Sequence, residues 1–216
     1  MADAAKAEKT GPLLIGLTGS IGMGKSETAK MFARLGIPVN DSDANVHALY
    51  EPGGLAVPEI EKAFPGTVKD GRVDRAALNV ALQKDPAGFK TLEAIVHPLV
   101  AKAQRDFLEK AARDGADMVV LDIPLLFETG GHKRMDAVVV VSAPSHIQRE
   151  RVLARPGMTE DRFNQILARQ VPDEEKRAQA HFVVVSDKGL DHAFEQVKMI
   201  VASLREQIAR KKAAEG

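Results

Sequence analysis

Residues 13–32 read LLIGLTGSIGMGKSETAKMF. The run from Leu13 to Leu17 is short, apolar and of strand type. Gly19-Ser20-Ile21-Gly22-Met23-Gly24-Lys25-Ser26 follows at once and matches G-x-x-x-x-G-K-[ST]. A helical pattern then begins, with Ala29, Phe32 and Ala33 on the expected buried face. Glycines at 19, 22 and 24 let the backbone turn tightly and aim its N–H groups inward. The helix N-terminus adds partial positive charge beneath the same spot. Gly19, Ser20, Ile21, Gly22, Met23, Gly24, Lys25, Ser26 and Glu27 are therefore the expected phosphate cradle. Lys25 is placed to reach β- and γ-phosphate oxygens, and the Ser26 hydroxyl to ligate Mg²⁺. The bland alternative is a glycine-rich turn beside an ordinary surface lysine. An adjacent Lys-Ser after an apolar strand weighs against it. The loop points to ATP or GTP, and says nothing of what is done with the phosphate.

Composition bounds the rest. A chain of 216 residues suits one α/β core with elaborations or a small satellite. Thirty basic residues balance thirty acidic ones, so nothing in the charge asks for nucleic acid or an anionic membrane. Cysteine is absent, which excludes disulfides and thiolate metal sites. No run approaches a transmembrane length. Aromatic content is too low for a single-strand stacking platform. Residues 1–11 read as a flexible N-terminal extension without a signal-like apolar core. A cytoplasmic protein with no obligate protein partner is the expectation.

A second short strand is expected at 37–40, leading into Asp41-Ser42-Asp43. Residues two apart in an extended segment share a face, so Asp41 and Asp43 can point together. Open parallel sheets bind ligands at the carboxyl ends of their strands. A carboxylate here can accept a proton from a substrate hydroxyl or hold Mg²⁺ through water. Capping the helix expected at 44–50 is an equal use for Asp43. Residues 51–70 look irregular apart from a short helix at 57–63, and helices are expected at 74–83 and 88–109, with Asp74 or Asp85 as caps. This insert has too little strand character to extend the sheet and reads as a helical satellite. His97-Pro98 falls within the second pattern, where proline should kink or restart the helix. A buried His97 beside a kink and a phosphate-binding His97 are both open.

Residues 117–122, DMVVLD, form an apolar strand suited to the centre of a parallel sheet. Asp122 would end it in the place of a Walker-B-type carboxylate. Pro124-Leu125-Leu126-Phe127-Glu128 follows as an apolar turn. Further strands are expected at 137–141 and 181–185. Helices are expected at 145–154, at 159–170 with Thr159 as cap, and at 190–213, whose charged tail should fray. Arg151 lies on the first of these helices and Arg155-Pro156-Gly157 breaks it, and arginines near a mobile hairpin can close over transferring phosphates. A solvated helix face explains them equally well.

At this point the sequence resembles the dephospho-coenzyme A kinase family. The resemblance rests on GLTGSIGMGKS, on LGIPVNDSD with Asp41 and Asp43, and on Asp74-Arg75. His97-Pro98 within EAIVHP, DIPLLFE from Asp122 to Glu128, Gln148 with Arg151 and Arg155, and QILARQ ending at Gln170 complete it. It implies a P-loop α/β fold with a five-stranded parallel sheet flanked by helices. The core would comprise residues 12–43, 110–144 and 176–216, with a helical coenzyme-binding domain at 44–109 and a lid at 145–175. It implies ATP-dependent phosphorylation of the ribose 3'-hydroxyl of 3'-dephospho-CoA, with Mg²⁺. Asp43 would take the hydroxyl proton, and Lys25, Arg151 and Arg155 would meet the phosphates. Ser26, Asp122 and Asp41 would hold the metal. Arg75, His97, Pro98, Pro124 and Leu125 would face the acceptor with Asp43. Two departures, Ala180-His181 and Ser186-Asp187, are read as lying near the base-binding end. Another small-molecule P-loop kinase is the nearest rival. A regulatory P-loop switch is a rival of another class, although no N-K-x-D base-reading motif is present.

Overall fold

The apolar runs become strands because each can bury both of its faces. In the computed structural model, which describes residues 11–85 and 87–215, β1 (Leu13–Thr18) leads through the glycine loop into α1 (Lys25–Arg34). Then come β2 (Val39–Asp41), α2 (Ser42–Tyr50), α3 (Val57–Ala63), β3 (Val68–Lys69) and β4 (Arg72–Val73). They are followed by α4 (Arg75–Lys84), α5 (Gly88–Arg113) and β5 (Met118–Asp122). A 3₁₀ turn at Gly131–Arg134 precedes β6 (Ala137–Ser142), α6 (Ser145–Leu153), α7 (Glu160–Leu167), α8 (Asp173–Ala178), β7 (Phe182–Val185) and α9 (Leu190–Glu215). The extension expected at 1–11 lies, but for Gly11, outside the described residues.

The main sheet has five strands in the order β2-β5-β1-β6-β7, with β1 parallel to β5 and β6, and β6 parallel to β7. It is an open parallel sheet flanked by helices. Alternation along β6 shows how it is covered. Val139 and Val141 join Phe32 of α1 and Val197, Ile200, Val201 and Leu204 of α9 in one cluster. Val138 and Val140 face the other way, against Leu126 and Phe127. The α1 face departs from expectation at one place: Ala33 is exposed, and Thr28 and Met31 are buried with Ala29 and Phe32.

The chain divides into two compact units. One holds everything up to Val39 and from Leu108 onward; the other is Asn40–Phe107. The second unit has its own core of Leu49, Ala56, Ile60, Phe64, Val73, Leu78, Leu82 and Val96. It is not purely helical, because β3 and β4 form an antiparallel hairpin pairing Val68 with Val73 and Lys69 with Arg72. Asp70 and Gly71 form its two-residue turn with φ of 50° and 73°. Two positive φ values in succession match the twist of a tight hairpin, and Asp-Gly supplies them. That dipeptide was the available sequence signal.

Candidate active site

The glycine loop leaves β1 where Leu17 pairs with Asp122 of β5. This register puts the lysine of the loop and the acid at the strand end in contact. Lys25 Nζ donates to Asp122 Oδ1 at 2.5 Å, with 3% of the Asp122 side chain exposed. Thr18 Oγ1 donates to the Pro124 carbonyl at 3.1 Å and ties the end of β1 to the DIPLLFE turn. In that turn Leu126 and Phe127 are buried while Leu125 is exposed. Gly22 has φ of 80°, and a Cβ there would lie 2.5 Å from Val152 Cγ2. No other residue fits that position without moving α6.

The loop is fastened from outside. Ile21 N–H donates to Gln170 Oε1 at 3.1 Å, and the Ile21 carbonyl accepts from Gln148 Nε2 at 2.8 Å. Met23 N–H donates to the Ser20 carbonyl. The Ile21 and Met23 amides are therefore engaged elsewhere, which corrects the expectation that the whole loop points inward. Among the described residues, the amides of Gly22, Gly24, Lys25, Ser26 and Glu27 have no hydrogen-bond partner. These five are donors that a phosphate can use.

Arg151 is committed within the protein: its guanidinium donates to Ser186 Oγ at 2.9 Å and to the Ser186 carbonyl at 2.8 Å. Ser186 Oγ in turn donates to the Met23 carbonyl at 2.7 Å. Arg155 is exposed beyond α6, and among the described residues its side chain has no ion-pair partner. His181 and Ser186-Asp187 do not share one end of the sheet. His181 immediately precedes β7, whereas Ser186 immediately follows it, so the two stand at opposite ends of that strand. His181 Nδ1 accepts from Val138 N–H at 3.0 Å, a structural bond to the neighbouring strand. On the Ser186 side, a cavity of about 230 Å³ is lined by Ser142, Ala143, Pro144, Arg177, Val185 and Asp187. Asp187 Oδ1 is buried without a partner among the described residues.

The remaining expected residues belong to the Asn40–Phe107 unit. Asp41, and not Asp43, caps α2: its Oδ1 accepts from Asp43 N–H at 2.9 Å and Ala44 N–H at 3.0 Å. Asp43 is exposed in the first turn. Asp74 caps α4 by accepting from Ala76 and Ala77. Its carboxyl is held below the usual range by the Lys69 hydrogen bond first, with the two amides assisting. The Arg75 guanidinium lies 5.5 Å from the Tyr50 ring centroid. Burial raises the Tyr50 phenol, and the Arg75 charge opposes that only in part. His97 and Pro98 are exposed, and α5 continues through Pro98 without restarting. The buried-histidine reading of His97 is thereby excluded.

Among the described residues, no three His, Asp or Glu side chains are grouped to hold a metal by themselves. One serine hydroxyl and one strand-end carboxylate nonetheless fit Mg²⁺, which is commonly bound by one or two protein oxygens together with substrate phosphates and water.

A sequence model of the dephospho-CoA kinase family matches residues 13–192. The chain belongs to the dephospho-CoA kinase family. A dephospho-CoA kinase of Rhizobium etli is 58% identical over 198 residues, which cover 92% of this chain and 97% of that protein. A crystal structure from Thermus thermophilus, 37% identical, superposes with a TM-score of 0.75 over 90% of this chain and 98% of its own. A dephospho-CoA kinase from Campylobacter jejuni shares the fold at 19% identity and a TM-score of 0.63, over 88% of this chain and 96% of its own. Membership makes the chain a P-loop kinase. No described helix is long and apolar enough to cross a membrane.

Sequence reading of this dephospho-CoA kinase family member missed one group beside the loop. Lys176, on the unforeseen helix α8, is fully buried against Glu128 and Ser20. In the stretch DEEKRA it reads as one more solvated charge. Only the adjoining family motif, ending in Glu128, hinted that an acid nearby would need a partner.

Proposed function

We propose that this kinase transfers the γ-phosphoryl group of ATP to the ribose 3'-hydroxyl of 3'-dephospho-CoA, yielding ADP and CoA. The observation that carries the reading is the Lys25–Asp122 pair at the mouth of the glycine loop, in a chain 58% identical to a dephospho-CoA kinase. Lys25 leaves Asp122 for the β- and γ-phosphates when ATP binds, and the five unpaired loop amides receive the same oxygens. Ser26 and Asp122, with Asp41 through water, would hold Mg²⁺, which neutralises phosphate charge when bound. Residues 44–109 serve as the coenzyme-binding domain, where Arg75, His97 and Pro98 meet the acceptor. Pro124 and Leu125 meet it from the turn after β5. Asp43 orients the hydroxyl and takes its proton as the new P–O bond forms.

Residues 145–175 act as a lid. Arg155 supplies charge to the transferring group, while Arg151 shares that task from its seat on Ser186. The hollow beside Ser186 takes the base, and Asp187 Oδ1 supplies an acceptor for an exocyclic amine. No protein partner is required for this chemistry. Both substrates are polyanions that do not cross a bilayer unaided, which supports action in the cytoplasm. A coupled ADP-release assay with and without dephospho-CoA tests the proposal. Turnover that is equal in both, or that follows a different acceptor, refutes it.

A further inference from the structure

The short helix α8 sends one side chain into the interior. Lys176 is 0% exposed, and its Nζ donates to Glu128 Oε1 at 2.9 Å and to Ser20 Oγ at 3.3 Å. Fully buried lysines are rare unless paired, because the ammonium loses its water. Glu128 answers that cost. Its Oε1 also accepts from Val171 N–H at 2.9 Å, and its Oε2 is buried without a partner among the described residues. Burial alone would raise the Glu128 carboxyl. The Lys176 hydrogen bond, the amides of Glu128 and Val171, and the Lys176 charge together hold it below its usual value.

Stability alone is a poor reason for such a pair, since well-packed apolar side chains commonly do as well. The pair differs from an apolar one in its reach to Ser20, the second residue of the phosphate loop. An ammonium only donates, so Ser20 Oγ is set as an acceptor and its rotamer is held. The next residue, Ile21, is held through its N–H by Gln170 and through its carbonyl by Gln148. Side chains from α6, from the segment after α7 and from α8 thus grip two consecutive loop residues. None of the three lies within G-x-x-x-x-G-K-S.

We infer that Lys176 is a positioning residue for the phosphate loop. It holds Ser20 so that residues 20–21 stay turned outward and the amides of Gly22, Gly24, Lys25, Ser26 and Glu27 stay aimed at the phosphates. It sets nucleotide affinity without touching the nucleotide. This rests on the reading that the loop holds ATP.

The test uses the full chain. Lys176→Met strands a buried carboxylate and risks the fold, so the deciding variant is the double Lys176→Met/Glu128→Gln, which leaves no unpaired buried charge. Its melting temperature should stay within a few degrees of wild type. Its Kd for ADP, titrated without acceptor, and its KM for ATP should rise about five- to tenfold, the worth of a hydrogen bond in the loop. KM for dephospho-CoA should not move. Lys176→Arg, which keeps a cationic donor, should recover most of the affinity. A folded double variant with wild-type ADP affinity overturns the inference. A lowered melting temperature with both substrates' KM raised alike overturns it too, since that is the mark of a core defect. Failure of the wild type to phosphorylate dephospho-CoA refutes the functional reading instead, and the ADP titration still decides the role of Lys176.

Discussion

Asp43→Asn separates chemistry from stability. The substitution keeps size and a hydrogen-bond acceptor but removes the charge that receives the hydroxyl proton. General-base assistance is worth roughly 10²–10⁴-fold, which at about 1.4 kcal/mol per decade is about 3–6 kcal/mol of barrier. The structural cost is much smaller. The α2 cap is Asp41, whose Oδ1 serves Asp43 N–H at 2.9 Å and Ala44 N–H at 3.0 Å, so Asp43→Asn leaves the cap intact. Only a first-turn charge is lost, worth about 0.3–1 kcal/mol. For a chain of this size that lowers the melting temperature by roughly 1–4 °C. Two controls bracket it. Asp41→Asn keeps a good cap and should melt like wild type with a milder loss of kcat, whereas Asp41→Ala should lose about 1 kcal/mol of stability. The assay is steady-state kcat at saturating ATP, Mg²⁺ and dephospho-CoA, beside a thermal melt. A folded Asp43→Asn enzyme with kcat within threefold of wild type would refute the general-base assignment and move suspicion to Asp41 or Asp122.

Three further outcomes are expected. Lys25→Ala should lower kcat/KM for ATP by on the order of 10²–10³-fold, the scale of one lost transition-state donor, while circular dichroism stays native; near wild-type turnover would remove Lys25 from the chemistry. His97→Ala should raise KM for dephospho-CoA roughly tenfold or more, as loss of a bond to a charged group does, with ATP binding spared. Because His97 is exposed, its melting temperature should stay within a degree or two, and a large drop would contradict the placement. Glu128 carries a depressed carboxyl, so its stabilising contribution is complete above the unfolded value of about 4.3 and is lost as pH falls through the lower folded value. Melts of wild type and Glu128→Gln should therefore converge as pH drops from 5 toward 3, and a gap independent of pH would count against the pair.

Strand, glycine loop and helix were legible from residues 13–32 alone, because an apolar run, three glycines and Lys-Ser are local signals and the loop is a local structure. The same holds for the buried strands β5 and β6 and for the caps at Asp74 and Thr159, where period and turn chemistry act over a few residues. Local signals were also underused: Asp70-Gly71 announced the β3–β4 hairpin, and Asp41 stood ready as a cap two residues before Asp43. Tertiary structure alone decided how the loop is held. Ile21 meets Gln148 and Gln170 across 127 and 149 residues, and Ser20 meets Lys176 across 156. No period or spacing encodes such pairs, since each exists only once the sheet has brought the ends of distant strands together. The fate of a charge is likewise nonlocal. Lys176 and its neighbour Arg177 are both cationic in sequence, yet packing against Glu128 and Ser20 buries the first and leaves the second exposed. His181 makes the same point at the other end of β7. Its imidazole serves Val138 because β6 lies beside β7, an adjacency that belongs to the sheet order and not to the sequence around residue 181.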